Sequence, residues 1–62
     1  MIKYLIFRVN VDGAPKKLMH IHGHNIDGAW AGARCWLSDG IYLIKSYDGT
    51  QAKIFEIRRG EQ

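Results

Sequence analysis

Sixty-two residues make one domain at most, and a chain of this length buries only about 60% of the surface its unfolded form exposes, so its core must be compact. At 47% hydrophobic with a formal net charge of +3 it falls outside the disordered class, and no run approaches the ~20 apolar residues of a membrane span. Its one cysteine, Cys35, cannot form an internal disulfide, which excludes a stapled secreted scaffold and points to a reducing cytoplasm.

The opening stretch Met1 to Phe7 is apolar but is interrupted by Arg8 and followed by no small-residue cleavage site, so it does not read as a secretory signal. Residues 2–11 instead alternate as a strand. Leu5, Phe7, Val9 and Val11 fall on one side; Tyr4, Ile6, Arg8 and Asn10 fall on the other. Asp12-Gly13-Ala14-Pro15 is turn chemistry, with a positive φ open to Gly and a fixed φ in Pro. Lys16 and Lys17 complete that loop, and residues 18–23 form a second strand with Met19 and Ile21 opposed to His20 and His22.

The period then changes. Ile26, Ala29, Trp30, Ala33, Trp36 and Leu37 lie on one stripe of a helix, with Asn25 as N-cap and Asp27 in the first turn. Gly28 and Gly32 each cost up to about 1 kcal/mol relative to Ala, and their spacing suggests a close approach to the sheet. Ser38-Asp39-Gly40 ends the helix. Residues 41–47 form a third strand, apolar on both sides; Asp48-Gly49 is a hairpin signal; residues 51–59 form a fourth strand, and residues 60–62 read as a tail.

The expected fold is α+β, ββαββ, a four-stranded antiparallel sheet with the helix on one face. A right-handed crossover through the helix places the first strand centrally and gives the order 2-1-3-4. One helix covers one face only. The predicted core is Leu5, Phe7, Val9, Met19, Ile21, Phe55 and Ile57, with Trp30 on the helix and Trp36 toward an edge. The predicted open face carries Tyr4, Ile6, Arg8, Asn10, His20, His22, Ile54, Glu56 and Arg58.

Little here points to catalysis. Cys35 lies near the helix C-terminus, where the dipole disfavours a thiolate, and no Walker or dinucleotide fingerprint is present, so neither an enzyme nor a cofactor is expected. His20, His22 and His24 form an H-x-H-x-H run whose alternate members share a strand face, the spacing of a metal-binding module, though no Cys or carboxylate cluster accompanies it. Lys16 and Lys17 in the first loop, and Arg58 and Arg59 at the end of the last strand, flank the open face. With Tyr4, Arg8, His20 and His22 they make the candidate partner-binding set. A basic, aromatic surface of this kind suits a protein or nucleoprotein complex, or nucleic acid directly, and its apolar members suit a monomer or a homodimer.

The ββαββ order, with a strand through Ile21 entering the helix at Asn25-Ile26-Asp27-Gly28-Ala29 and a hairpin at Asp48-Gly49, resembles small accessory proteins of phages and mobile elements. Among them are anti-CRISPR proteins that bind type I surveillance complexes. The resemblance is one of length and element order. It implies a non-enzymatic inhibitor that occupies a protein or nucleic-acid groove inside the host cell. Direct nucleic-acid binding and histidine-based metal binding are the alternatives.

Overall fold

A computed structural model describes residues 1–60. Strand β1 (Ile2–Val9) and β2 (Lys16–Gly23) lead into helix α1 (Ile26–Ala33), which tightens into a 3-10 turn at Arg34–Trp36 before β3 (Gly40–Ser46) and β4 (Ala52–Ile57). All pairs are antiparallel and the strand order is β2-β1-β3-β4, as the crossover rule predicts. Of the predicted tail, Glu61 and Gln62 lie outside the described residues, while the Gly60 amide donates to the Asp39 carboxylate.

Local chemistry accounts for the element ends. The Asn25 side chain accepts a hydrogen bond from the Gly28 amide at 2.7 Å, relieving one of the unpaired amides of the first turn. At the other end the Leu37 amide donates to the Arg34 carbonyl and Leu37 is extended, so the predicted twelve-residue helix closes early. Trp36 leaves the stripe as a result and is 81% exposed. In the last hairpin Gly49 takes φ +79°, and the Asp48 carboxylate accepts from the Ser46 hydroxyl, the Thr50 amide and the Thr50 hydroxyl.

The core lies between the sheet and α1. It comprises Tyr4, Ile6, Ala29, Trp30, Ala33, Tyr42, Ile44 and Ile57, with Ile2, Met19, Ile21, Ile26, Leu37 and Phe55 packed around it. Trp30 stacks on Phe55 at 4.7 Å between ring centroids and 11° between planes, and tilts against Tyr42 at 5.7 Å. The close approach of helix to sheet is made by a strand glycine. A Cβ on Gly23 would stand 3.0–3.1 Å from Ala29, whereas Gly28 and Gly32, expected to serve this purpose, are exposed and meet no sheet backbone.

The predicted faces of β1 are reversed. Tyr4 and Ile6 are fully buried beneath the helix, and Leu5, Phe7 and Val9 lie on the uncovered side. The ladder to β2 also carries a bulge. Phe7 pairs with Lys17, but Ile6 pairs with Met19, leaving Leu18 as an extra residue in β2. An unbroken ladder continuing from Phe7–Lys17 would set Leu5 opposite Met19 and Lys3 opposite Ile21. With the bulge, Tyr4 faces Ile21 and Ile6 faces Met19, so the β2 side chains from Met19 onward change sides while β1 alternates unbroken against β3. The expected positions of Met19, Ile21, Phe55 and Ile57 toward the helix hold.

This assignment predicts a sharp contrast between two isoleucines. Ile6→Ala should lower unfolding stability by about 2–5 kcal/mol, as for a filled core site. Ile54→Ala, at a position 64% exposed, should stay within about 0.5 kcal/mol of wild type. Urea unfolding of the two variants checks this, and equal losses would contradict the face assignment.

Candidate functional site

Directly opposed residues of an antiparallel pair share a face, so the register names the uncovered side of the sheet. Leu5 lies between His20 and Lys45, Phe7 between Lys17 and Leu43, and Val9 beside Ile41. Across to β4, Leu43 faces Ile54 and Ile41 faces Glu56. The centre of this face is therefore aliphatic and aromatic: Leu5, Phe7, Val9, Ile41, Leu43 and Ile54.

Around that centre the side chains are mostly cationic or imidazole. Lys3 pairs with His22, and its ammonium lies 4.7 Å from the centroid of the Tyr47 ring, which is exposed at the end of β3. Lys45 reaches over the Phe7 ring at 5.5 Å. Glu56 is the acidic member, and Arg58 Nε lies 3.4 Å from its carboxylate. His20 and His22 are exposed on edge strand β2, with ring centroids 6.0 Å apart and planes nearly perpendicular.

The predicted partner-binding set divides accordingly. His20, His22 and Lys17 are on the open face; Lys16 pairs with Arg8 and belongs to the helix side. Both lysines are strand residues of β2, where a loop was expected. Tyr4 is not a surface residue: its ring is in the core and its hydroxyl donates to Gln51 Oε1 at 3.2 Å. Arg8 also turns to the helix side. Its guanidinium donates to the Tyr42 hydroxyl at 3.0 Å and the Asp39 carbonyl at 3.2 Å, and it lies against the Tyr42 ring, clasping the segment after the helix to the sheet. Arg58 is exposed just beyond β4. Arg59 donates to the carbonyls of Leu37 and Arg34, so it satisfies acceptors at the end of the helical segment and is tied to the fold.

Leu5, Phe7 and Val9 were expected in the core, and the sequence reading did not place Lys3, Leu43 or Lys45 on this face. The alternation Ile41, Leu43, Lys45 in β3 was the available signal, but the other side of that strand is equally apolar.

Cys35 is exposed in the 3-10 turn and contacts the Ala31 carbonyl through its sulfur. Among the described residues no group of three or more His, Cys, Asp or Glu is placed to hold a metal, so His20, His22 and His24 do not converge as one three-ligand site. A shallow depression bounded by Asp39, Gly40, Glu56, Ile57, Arg58 and Gly60 contains the Asp39 carboxylate, but its oxygens already accept from the Arg59 and Gly60 amides. No helix among the described residues is long and apolar enough to cross a membrane. Comparison with protein-family models, curated proteins and solved structures finds no match.

Two carboxylates carry a pH dependence. The Gly60 and Arg59 amides hold Asp39 below its ordinary value of 3.8, and the Ser46 hydroxyl followed by the Thr50 amide does the same for Asp48. A pKa lowered by folding contributes stability that is present above the unfolded value and is lost as pH falls through the folded one. Unfolding midpoints should therefore fall in acid, below pH ~4, through these two groups. Asp39→Asn and Asp48→Asn should each flatten that decline in a pH series of urea melts; an unchanged acid limb in the double variant would contradict it.

Proposed function

We propose that this protein is a non-enzymatic docking module that binds a larger protein or nucleoprotein complex through the open face of its sheet. The observation that carries the reading is the apolar centre formed by Leu5, Phe7, Val9, Ile41, Leu43 and Ile54, left uncovered on a chain too small to spare apolar surface. Interfaces place such groups centrally and surround them with polar ones. Lys3, Lys17 and Lys45 at this rim favour a partner whose own apolar patch is bordered by Asp and Glu. The ββαββ order resembles that of phage inhibitors of surveillance complexes, which makes a type I complex the first partner to test and surface occupation the mode of action.

Leu43→Asp and Ile54→Glu place a charge in the apolar centre and should weaken capture by the purified complex at least about 30-fold, the scale of a hot-spot loss of 2 kcal/mol. Lys3→Glu with Lys45→Glu should slow association and reduce its salt dependence. Surface plasmon resonance measures both. Binding that survives all four substitutions would remove the open face from the interface.

A second reading rests on Phe7 and Tyr47, aromatic rings each with a lysine ammonium close by. Such pairs suit base stacking beside phosphate contacts on single-stranded nucleic acid. If Lys3, Lys17 and Lys45 each neutralise one phosphate, log affinity should fall with log salt at a slope of about −2. A fluorescence-anisotropy titration with no binding at low salt eliminates this reading.

A further inference from the structure

We propose that β2 is a self-pairing edge, and that His20 and His22 of two copies together bind one divalent transition ion of the zinc type. Both histidines lie at the β2 margin of the open face, but the pairing is argued from the β2 edge and does not depend on docking by the apolar centre.

The edge itself limits how a second copy pairs. β2 lies at the margin of the sheet, so among the described residues one row of its backbone donors and acceptors has no strand opposite. At one end Lys16, Lys17 and the unpaired Leu18 of the bulge disfavour extension. At the other the chain leaves the sheet after Gly23 to enter α1. What remains is Met19 to Gly23, centred on Ile21. Antiparallel pairing of this stretch about a two-fold axis sets Ile21 against its own counterpart.

That register determines the chemistry. His20 of one copy then stands opposite His22 of the partner subunit, and the reverse, on the uncovered side of the joined sheet. Opposed Cβ atoms are about 4.5–5.5 Å apart, so four imidazoles line one small square. Within one chain the His20 and His22 ring centroids are 6.0 Å apart. Two imidazoles sharing a tetrahedral ion at about 2.0–2.1 Å have centroids roughly 5 Å apart, which side-chain rotation alone can supply. One chain offers two nitrogen ligands from this pair, half of a closed tetrahedral set; two chains offer four. Imidazole donors select Zn²⁺, Ni²⁺ or Cu²⁺ over Mg²⁺ or Ca²⁺. His24 lies beyond the end of β2 and is outside the set.

The helix side of the same edge supplies independent support. Gly28 and Gly32 are exposed, one turn apart, and Gly32 lies next to Ile21 of β2. A Cβ at Gly32 would make an ordinary 3.6 Å contact with the Ile21 side chain, whereas one at Gly28 would stand a tight 3.2 Å from the Asn25 side-chain oxygen. Gly28 leaves room for the capping Asn25 side chain, but packing within the chain does not demand Gly32, although it weakens the helix by up to about 1 kcal/mol. A second α1 brought alongside over a continuous sheet does demand a slim flank. The cross-axis contact on that side is Ile21 on its own counterpart.

Light scattering with and without Zn²⁺, paired with calorimetry, tests the proposal on the full chain. The mass should double from 7.1 kDa when Zn²⁺ is added, with one ion bound per two chains, and should return on chelation with EDTA. His20→Ala and His22→Ala should each abolish the doubling while leaving the circular dichroism spectrum unchanged, since both side chains are exposed; His24→Ala should leave it intact. Gly32→Leu should raise the protein concentration needed for the zinc-bound dimer. A single-chain mass at saturating Zn²⁺, or a zinc-dependent doubling that persists in the His20→Ala, His22→Ala double variant, overturns it.

Discussion

Between the pairs Phe7–Lys17 and Ile6–Met19 the ladder of β1 and β2 takes in one residue, Leu18, with no partner opposite. Because side chains alternate with a period of two, one inserted residue exchanges the faces of the β2 residues beyond it. Tyr4 and Ile6 thereby join Met19 and Ile21 under the helix, while Lys3 and Leu5 come beside His22 and His20. Which β2 residues join each face, and the presence of histidines next to an apolar centre, follow from that insertion. The bulge also interrupts the outer edge of β2 near its lysines, where a regular strand would invite pairing along its whole length.

The helix side is closed by aromatic rings and by one arginine. Trp30 covers Phe55 and leans on Tyr42, contacts of the kind worth about 0.5–1.5 kcal/mol beyond simple burial. Tyr42 in turn donates its hydroxyl hydrogen to the Ser38 carbonyl and accepts from Arg8. Arg59 and the Asp39 carboxylate bind the chain after β4 to the segment after the helix. These polar ties allow an eight-residue helix carrying two glycines to hold its place, because tertiary contacts replace the propensity it lacks. No buried side-chain polar atom among the described residues is left without a partner.

Element order, strand order, the Asn25 cap and the Asp48-Gly49 turn were legible because each depends on local chemistry or on chain handedness. The face of β1 was not. Both of its sides carry apolar residues, and its centrality in the sheet removes the polar contrast that alternation needs. Leu5, Phe7 and Val9 make a wholly apolar row, whereas the opposite row of β1 contains Arg8. Its guanidinium instead reaches partners some thirty residues away, Tyr42 and the Asp39 carbonyl, which a local pattern cannot contain. His20 and His22 were expected on the open face and lie there, since β2 alternates from Met19 onward, whereas Lys17, expected in a loop, shares that face only through the bulge; Tyr4 and Arg8 were misplaced with the face of β1, and Arg59, expected at the margin of the open face, instead donates to carbonyls. The apolar character of the open face was the element least visible, being the complement of the same error.

The two proposed surfaces are geometrically compatible, and that compatibility constrains how they would act together. Pairing along the β2 edges extends the sheet in its own plane and leaves Phe7, Leu43, Ile41 and Ile54 uncovered, since they lie on the central strand and on the opposite half. A dimer so formed presents two apolar centres on one side of a continuous eight-stranded sheet, with the histidines between them. A partner that repeats its subunits would then gain by engaging both, through effective concentration and without any new contact. Face-to-face stacking of two open sides would instead bury the apolar centres and bring Lys3, Lys17 and Lys45 of both copies into one gap, where like charges oppose approach. The sheet edge is therefore the better place for a second copy, and the open face is left for a partner of opposite charge.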